Sequence, residues 1–211
     1  MAVGDAEGIQ PDILINGRLL GQGDYATPEQ GFPTDPPTGP WELCLTMGRL
    51  WSYSLADVNL KSARSLARTL IEVVSRGGNL LLDIGPDGDG NVPAPHRERM
   101  HELGSWMRTH RESVIGVGSA QDVDFYGPVT RTASTIYLHL VMLPVDEIVV
   151  RRVPVSRVRG VRLLGGPELP FAVNLEVHEK VENGDAAFGE LRIVAPRASG
   201  ALVDVVAIDL A

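Results

Sequence analysis

The stretch GGNLLLDIGPDGDG, residues 77–90, constrains this chain more than any other part of it. Its apolar run, residues 79–85, shows no alternation, as in a strand buried on both faces of a parallel sheet. The run ends in glycine, proline and aspartate. Such an ending fits a phosphate cradle, a calcium loop, or the loop that a buried strand delivers to an active site. A phosphate-binding P-loop needs Lys and Ser/Thr behind its glycines, and neither follows here. A dinucleotide fingerprint must open a helix, and Pro86 and Pro93 interrupt that context. The calcium pattern comes nearer. Asp87, Asp89, Asn91 and Glu98 take positions one, three, five and twelve of an EF-hand loop. Yet Val92 stands where the sharp turn requires glycine, and no helix is expected before Asp87. The strand-end reading remains, and (β/α)8 barrels carry their active-site loops at such strand ends.

The surrounding sequence has the matching rhythm. DILIN (12–16) and WELCLTM (41–47) read as strands. Residues 57–76 carry a helical apolar face of Leu60, Ala63, Ala67, Leu70 and Val74, with Asp57 as N-cap and Gly77 as the stop. A second helix is expected over 95–111, with Met100, Leu103 and Met107 on one side. Strand, helix, buried strand, helix is the order of a parallel α/β layer. After residue 120 the helical period disappears. Runs at 135–143, 147–155, 158–164, 171–178, 189–195 and 202–209 read as successive strands, separated by turn signals such as LGGPE and ENGD. In FAVNLEVH, Phe171, Val173, Leu175 and Val177 alternate with polar residues, as in a half-buried antiparallel strand. A β-sandwich of roughly 90 residues is expected there.

Composition narrows the partners. The chain has 211 residues, 44% of them hydrophobic and 22% charged, with a formal net charge of −8. Lys61 and Lys180 are the only lysines. No basic stripe suggests nucleic acid, and the acidic balance disfavours an anionic membrane surface. No run is long and apolar enough to span a bilayer, and residues 1–10 lack the basic start and apolar run of a signal peptide. Cys44, the single cysteine, can form no internal disulfide and reads as a small buried hydrophobe. His96, His101, His110, His139 and His178 show no metal-ligand spacing and are read as structural or exposed. No metal and no cofactor is expected.

Three residues stand out as candidates. Glu29 lies in a Gly- and Pro-rich loop after a strand, where it is either a solvated carboxylate or a general acid over an active-site mouth. Arg18 follows DILIN, as a surface arginine or as one that holds a substrate hydroxyl or a carboxylate. Trp51, in RLWSYS, either packs in the core or offers its face to a sugar.

Taken in order, QPDILINGR, GDYATPEQ, PWELCLTMGRLWSYS and KSARSLARTLIEVVSRGGNLLLDIGPDGDGNVP resemble the α-L-fucosidases of glycoside hydrolase family 29. The resemblance covers about residues 9–118 and implies the last third of that family's (β/α)8 barrel. Residues 1–118 are then the C-terminal part of the barrel, and 119–211 the β-sandwich that follows it. It implies retaining hydrolysis of terminal α-L-fucose from a glycan or small fucoside, through an aspartate nucleophile and a second carboxyl group as acid/base. Glu29 matches the acid/base, Arg18 the arginine of the fucose pocket and Trp51 its aromatic wall. TPEQ and RLWSYS look closer to the branch that cuts α-1,3/1,4-linked fucose. Two positions depart from the family pattern. Gly17 replaces a usual Asn or Asp and could loosen the strand end that aims Arg18, and Asp83 replaces a usual Asn and adds a charge. The nucleophile and the fucose-gripping histidines of the family precede QPDILIN, so this stretch holds only one half of the carboxyl pair. The expectation is therefore a segment inactive alone. Rival readings are a non-catalytic glycan-binding or structural module, or one half of a split enzyme whose missing N-terminal barrel half is another chain.

Overall fold

The computed structural model describes residues 10–18, 23–183 and 187–211, except the side chain of Glu179. The chain divides into two compact units, Met1–Leu60 with Gly77–Pro93, and Lys61–Arg76 with Ala94–Ala211.

The first unit is built on a parallel pair, β1 (Glu42–Thr46) and β2 (Asn79–Asp83), with Cys44 opposite Leu81 and Thr46 opposite Asp83. Single parallel bridges extend the pattern, from Asn16 to Tyr25, Ala26 to Trp41 and Glu29 to Cys44. DILIN does not form the expected strand and contributes only the bridge at Asn16. Asp24 takes the place of a partner strand there. Its carboxylate accepts from the Ile15 N–H (2.8 Å), and its own N–H donates to Ile15 O (2.7 Å). Along β1 the burial alternates. Trp41, Leu43, Leu45 and Met47 are buried, while Glu42 and Cys44 on the opposite face are half-buried. β2 departs from the reading of a doubly buried strand, because Asn79 and Leu81 are exposed. Among the described residues β2 pairs only with β1, so one edge and one face of it stay uncovered.

The glycine pair before β2 has two separate tasks. Gly77 adopts φ +81°, which suits a left-handed helix stop. At Gly78 a Cβ would collide with the indole of Trp41.

The second unit stacks helices on two sheets. α1 (Ala63–Ser75) is capped by Ser62, whose hydroxyl accepts from the Ser65 N–H (3.1 Å). Asp57 is not the cap. Its carboxylate accepts instead from the N–H groups of Arg49 (2.8 Å) and Leu50 (3.0 Å). α2 (Ala94–His110) lies where a helix was expected, but it buries Leu103, Trp106 and His110, and Met100 is exposed. Only the C-terminal half of this helix is covered. No described helix is long and apolar enough to cross a membrane.

One sheet joins β3 (Gly118–Ser119), β4 (Val129–Arg131), β5 (Thr135–Leu140), β7 (Val158–Leu163) and β10 (Asp204–Leu210), in the order 3-4-5-10-7. The other joins β6 (Glu147–Val153), β8 (Phe171–Asn174) and β9 (Gly189–Val194), in the order 6-9-8. All these pairings are antiparallel. The sheets share one apolar core, with Ile136, Leu138 and Ile208 from the first and Ile148, Leu191 and Ile193 from the second. The unit is thus a β-sandwich, as the alternation after residue 120 implied. The five-stranded sheet is covered on its other face as well. Trp106 Nε1 donates to Val203 O (2.8 Å), and Arg68 donates to Val141 O (2.6 Å). That double cover explains why β5 is buried at every residue.

The reading of 171–178 as one strand fails. β8 ends at Asn174, is exposed throughout, and is followed by the helix α3 (Val177–Asn183). Pairing with β9 stops at Asn174 opposite Glu190, and the following segment, with the helix formers Glu179, Lys180 and Glu182, takes up a helix. The turn signal ENGD lies partly outside the described residues. His110 and His139 are buried in this unit, whereas His101 and His178 are exposed.

Candidate active site

Two of the three candidate side chains meet. The guanidinium of Arg18 forms an ion pair with the carboxylate of Glu29. Arg18 Nε also donates to Thr27 Oγ1 (3.0 Å), and its backbone N–H donates to Asn16 Oδ1 (3.2 Å). Gly17, the position expected to loosen this strand end, is tied by its own N–H to Tyr25 O (2.8 Å). Glu29 is fixed from the backbone. The Cys44 N–H donates to Pro28 O, and the Gln30 N–H donates to Cys44 O, both at 2.9 Å. Glu29 therefore lies alongside Cys44, the middle residue of β1.

The ion pair is open to water, with side-chain exposures of 50% and 40%. Exposed pairs of this kind contribute up to about 1 kcal/mol. Stability alone is a weak reason for such an arrangement. Charge does gather on this face of the sheet. Burial raises the Cys44 thiol above its ordinary pKa; Arg18 opposes that rise, and the carboxylates of Glu29, Asp83 and Glu42 add to it. The thiol is thus held protonated and is no activated nucleophile. Asp83, the added charge, sits opposite Thr46 at the end of β2.

Trp51 stands on the loop that leaves the C-terminal end of β1 and is 45% exposed, so it is not a core residue. That loop is held at two points. Asp57 binds the N–H groups of Arg49 and Leu50, as described above, and the Tyr53 backbone packs against Gly85, where a Cβ would come within 2.9 Å of Tyr53 N. Gly85 of GGNLLLDIGPDGDG thus supports the loop that carries Trp51.

Gln30 and Thr46 went unnoticed in the sequence. Gln30 has φ +60°, uncommon for a residue with a side chain. Thr46 Oγ1 donates to Gln30 Oε1 (3.1 Å) and lies 2.8 Å from Gly48 O. This clamp holds the turn next to Glu29. No local pattern in TPEQG announces a left-handed glutamine, so only coordinates could reveal it. The calcium reading of Asp87 has a simpler replacement, since its carboxylate accepts from the N–H groups of Asp89 (3.0 Å) and Asn91 (2.8 Å) and closes an Asx turn. The Asn91 backbone bond is the main reason the Asp87 carboxyl stays below its ordinary pKa.

The family sequence model described as α-L-fucosidase matches residues 6–112, and the chain belongs to that family. An α-L-fucosidase from Dictyostelium discoideum is 28% identical over 160 residues, which is 70% of this chain and 35% of that one. The plasma α-L-fucosidase of Homo sapiens is 36% identical over 77 residues, 35% of this chain and 16% of that one. The solved α-L-fucosidase isoenzyme 1 from Paenibacillus thiaminolyticus superposes with a TM-score of 0.82 at 26% identity, over 99% of this chain and 52% of that one. The chain therefore spans about half the length of the solved relative and about a third of the Dictyostelium protein.

Proposed function

We propose that this chain supplies the C-terminal strands and helices of the (β/α)8 barrel, and the following β-sandwich, of a retaining α-L-fucosidase. Residues 1–118 would belong to the barrel and 119–211 to the sandwich. The substrate class is a glycan or small fucoside ending in α-L-fucose. Glu29 protonates the departing glycosidic oxygen as an aspartate attacks the anomeric carbon, then deprotonates the water that releases fucose. Arg18 holds Glu29 and reaches sugar hydroxyls with its remaining N–H donors. Trp51 lines the pocket with its exposed indole face. The observation that carries this reading is the Arg18–Glu29 pair, water-accessible and held beside the parallel β1–β2 ladder by the bridge from Glu29 to Cys44.

A second reading, a barrel completed by further strands, is favoured by one observation. β2 has no partner but β1 among the described residues, and Leu81 on it is 44% exposed. Parallel sheets occur with both faces covered, and an open edge is a template for a further strand. The completing strands would come from the same polypeptide or from a second one, as in a split enzyme. The reading as a non-catalytic glycan-binding or structural module stands if no completion restores activity.

The test uses an aryl α-L-fucoside. The 211-residue chain alone is expected to be inactive. Mixed with a polypeptide carrying the preceding barrel strands of the Paenibacillus enzyme, it is expected to turn over, and Glu29→Gln to abolish that. Turnover by the chain alone, or turnover that Glu29→Gln leaves intact, would overturn the assignment.

A further inference from the structure

We propose that the sandwich carries its own binding site for an anionic saccharide unit, with Arg152 as the anion-binding group and Phe188 as the sugar platform. Arg152 sits in a β-bulge. β6 and β9 pair with Arg151 opposite Glu190 and Val153 opposite Gly189, which leaves Arg152 without a cross-strand partner. Its φ is +60°, the left-handed region. At such a bulge position glycine is the residue that fits without strain. The backbone shape alone would be served better by glycine, so the strain is tied to the side chain that the bulge displays.

That side chain lines a cleft of about 720 Å³, with Phe188, Asn174, Glu190, Arg151 and Asp122 also on its walls. The other charged groups on its walls have partners. Arg151 pairs with Glu190 (2.9 Å), Glu190 also with Arg192 (2.8 Å), Asp122 with Arg131 (2.9 Å), and the wall carboxylate Glu176 meets His178 Nδ1 (3.2 Å). Arg152 forms no ion pair among the described residues. The cleft thus offers one uncommitted guanidinium, a fork that fits a carboxylate or sulfate ester bidentately. Phe188 is 51% exposed in the same cleft. An open ring beside a free fork suits a ligand with an apolar face and an anionic substituent, and Asn174 adds neutral donors and acceptors for hydroxyls. A pyranose bearing a carboxylate or sulfate combines these features. The saccharide part rests on the fucosidase reading above, whereas the anion part does not.

The site is tested on the full chain by NMR-detected titration with glucuronate, galactose 6-sulfate, galactose and acetate. Binding in the millimolar range by either acidic sugar is expected, with galactose and acetate weaker by about tenfold or more. Binding of glucuronate alone assigns the carboxylate, binding of galactose 6-sulfate alone assigns the sulfate, and either supports the site. Arg152→Gly is expected to lower affinity at least about tenfold while leaving Tm unchanged or raised, because it removes the strained conformer. Phe188→Ala is expected to weaken the acidic sugar more than acetate. Equal binding of galactose or acetate, binding indifferent to Arg152→Gly, or a lower Tm in that variant would overturn the proposal. The readout is binding, so it is independent of whether the assembled enzyme hydrolyses fucosides.

Discussion

The two units of this chain solve the burial problem differently. The sandwich unit closes on itself: its two antiparallel sheets share one core, and Val205, Val206, Ala207 and Ile208 of β10 are fully buried. The parallel unit has a two-stranded ladder, an edge without a partner among the described residues, and exposed Leu14, Leu55, Val58 and Leu81. An antiparallel sheet can leave one face to water, whereas a parallel one needs cover on both faces. The residues proposed for catalysis lie in the parallel unit. The proposed chemistry and the closed core thus fall in different units.

Stability measurements would break this contrast most readily. Ile208→Ala is expected to cost about 2–5 kcal/mol in chemical denaturation, as large-to-small changes in a closed core do. Leu81→Ala, on the open face of β2, is expected to cost roughly 0.5 kcal/mol or less. Similar losses at both positions would mean that the parallel unit is as well packed as the sandwich.

The sandwich unit is also expected to be acid-sensitive through its buried histidines. Burial pushes His139 down to about 3, with the neighbouring His110 adding to the effect. His110 is itself lowered by burial, partly offset by its bond to Trp106 O and by Asp204. The other polar neighbour of His139 is Thr130, whose Oγ1 lies 3.0 Å from Nε2 and donates to Ser113 O (2.7 Å). The folded form keeps His139 neutral, while the unfolded chain takes up a proton near pH 6.5. Its contribution is therefore complete above about pH 6.5 and is lost as pH falls from there toward 3, at up to about 1.4 kcal/mol per pH unit. His139→Gln should flatten the decline between pH 6.5 and 4. An unchanged slope would show that other groups carry it.

A small effect on stability is also expected at the candidate site. Glu29→Gln should change folding stability by less than about 1 kcal/mol, since its pair with Arg18 is water-exposed. A loss of 3 kcal/mol or more, on the order seen for buried pairs, would make the pair structural and remove the reason for a catalytic reading.

What could be read from the sequence follows the same division. The helix at 94–110, the stop at Gly77 and most sandwich strands followed from period and turn chemistry. The elements misjudged are those set by neighbours. β2 reads as a buried strand, but burial depends on strands that its own sequence cannot supply. Phe171–Val177 alternates like a half-buried strand, yet β9 pairs with it only as far as Asn174. The Arg18–Glu29 contact lay within reach of the motif reading, which put Arg18 and Glu29 on the rim of one pocket. The left-handed Gln30 and Arg152 did not, since neither turn has a residue pattern that demands one.

The acid/base role of Glu29 is tested most directly by leaving-group dependence, in a chimera where residues 9–118 replace the matching segment of the Paenibacillus enzyme. For Glu29→Gln, kcat/KM on a fucosyl disaccharide should fall about 10²–10⁴-fold, the usual contribution of general acid catalysis. On a dinitrophenyl fucoside, whose phenolate departs without a proton, kcat/KM should fall far less. Equal losses on both substrates, or no loss on either, would contradict the role assigned to Glu29.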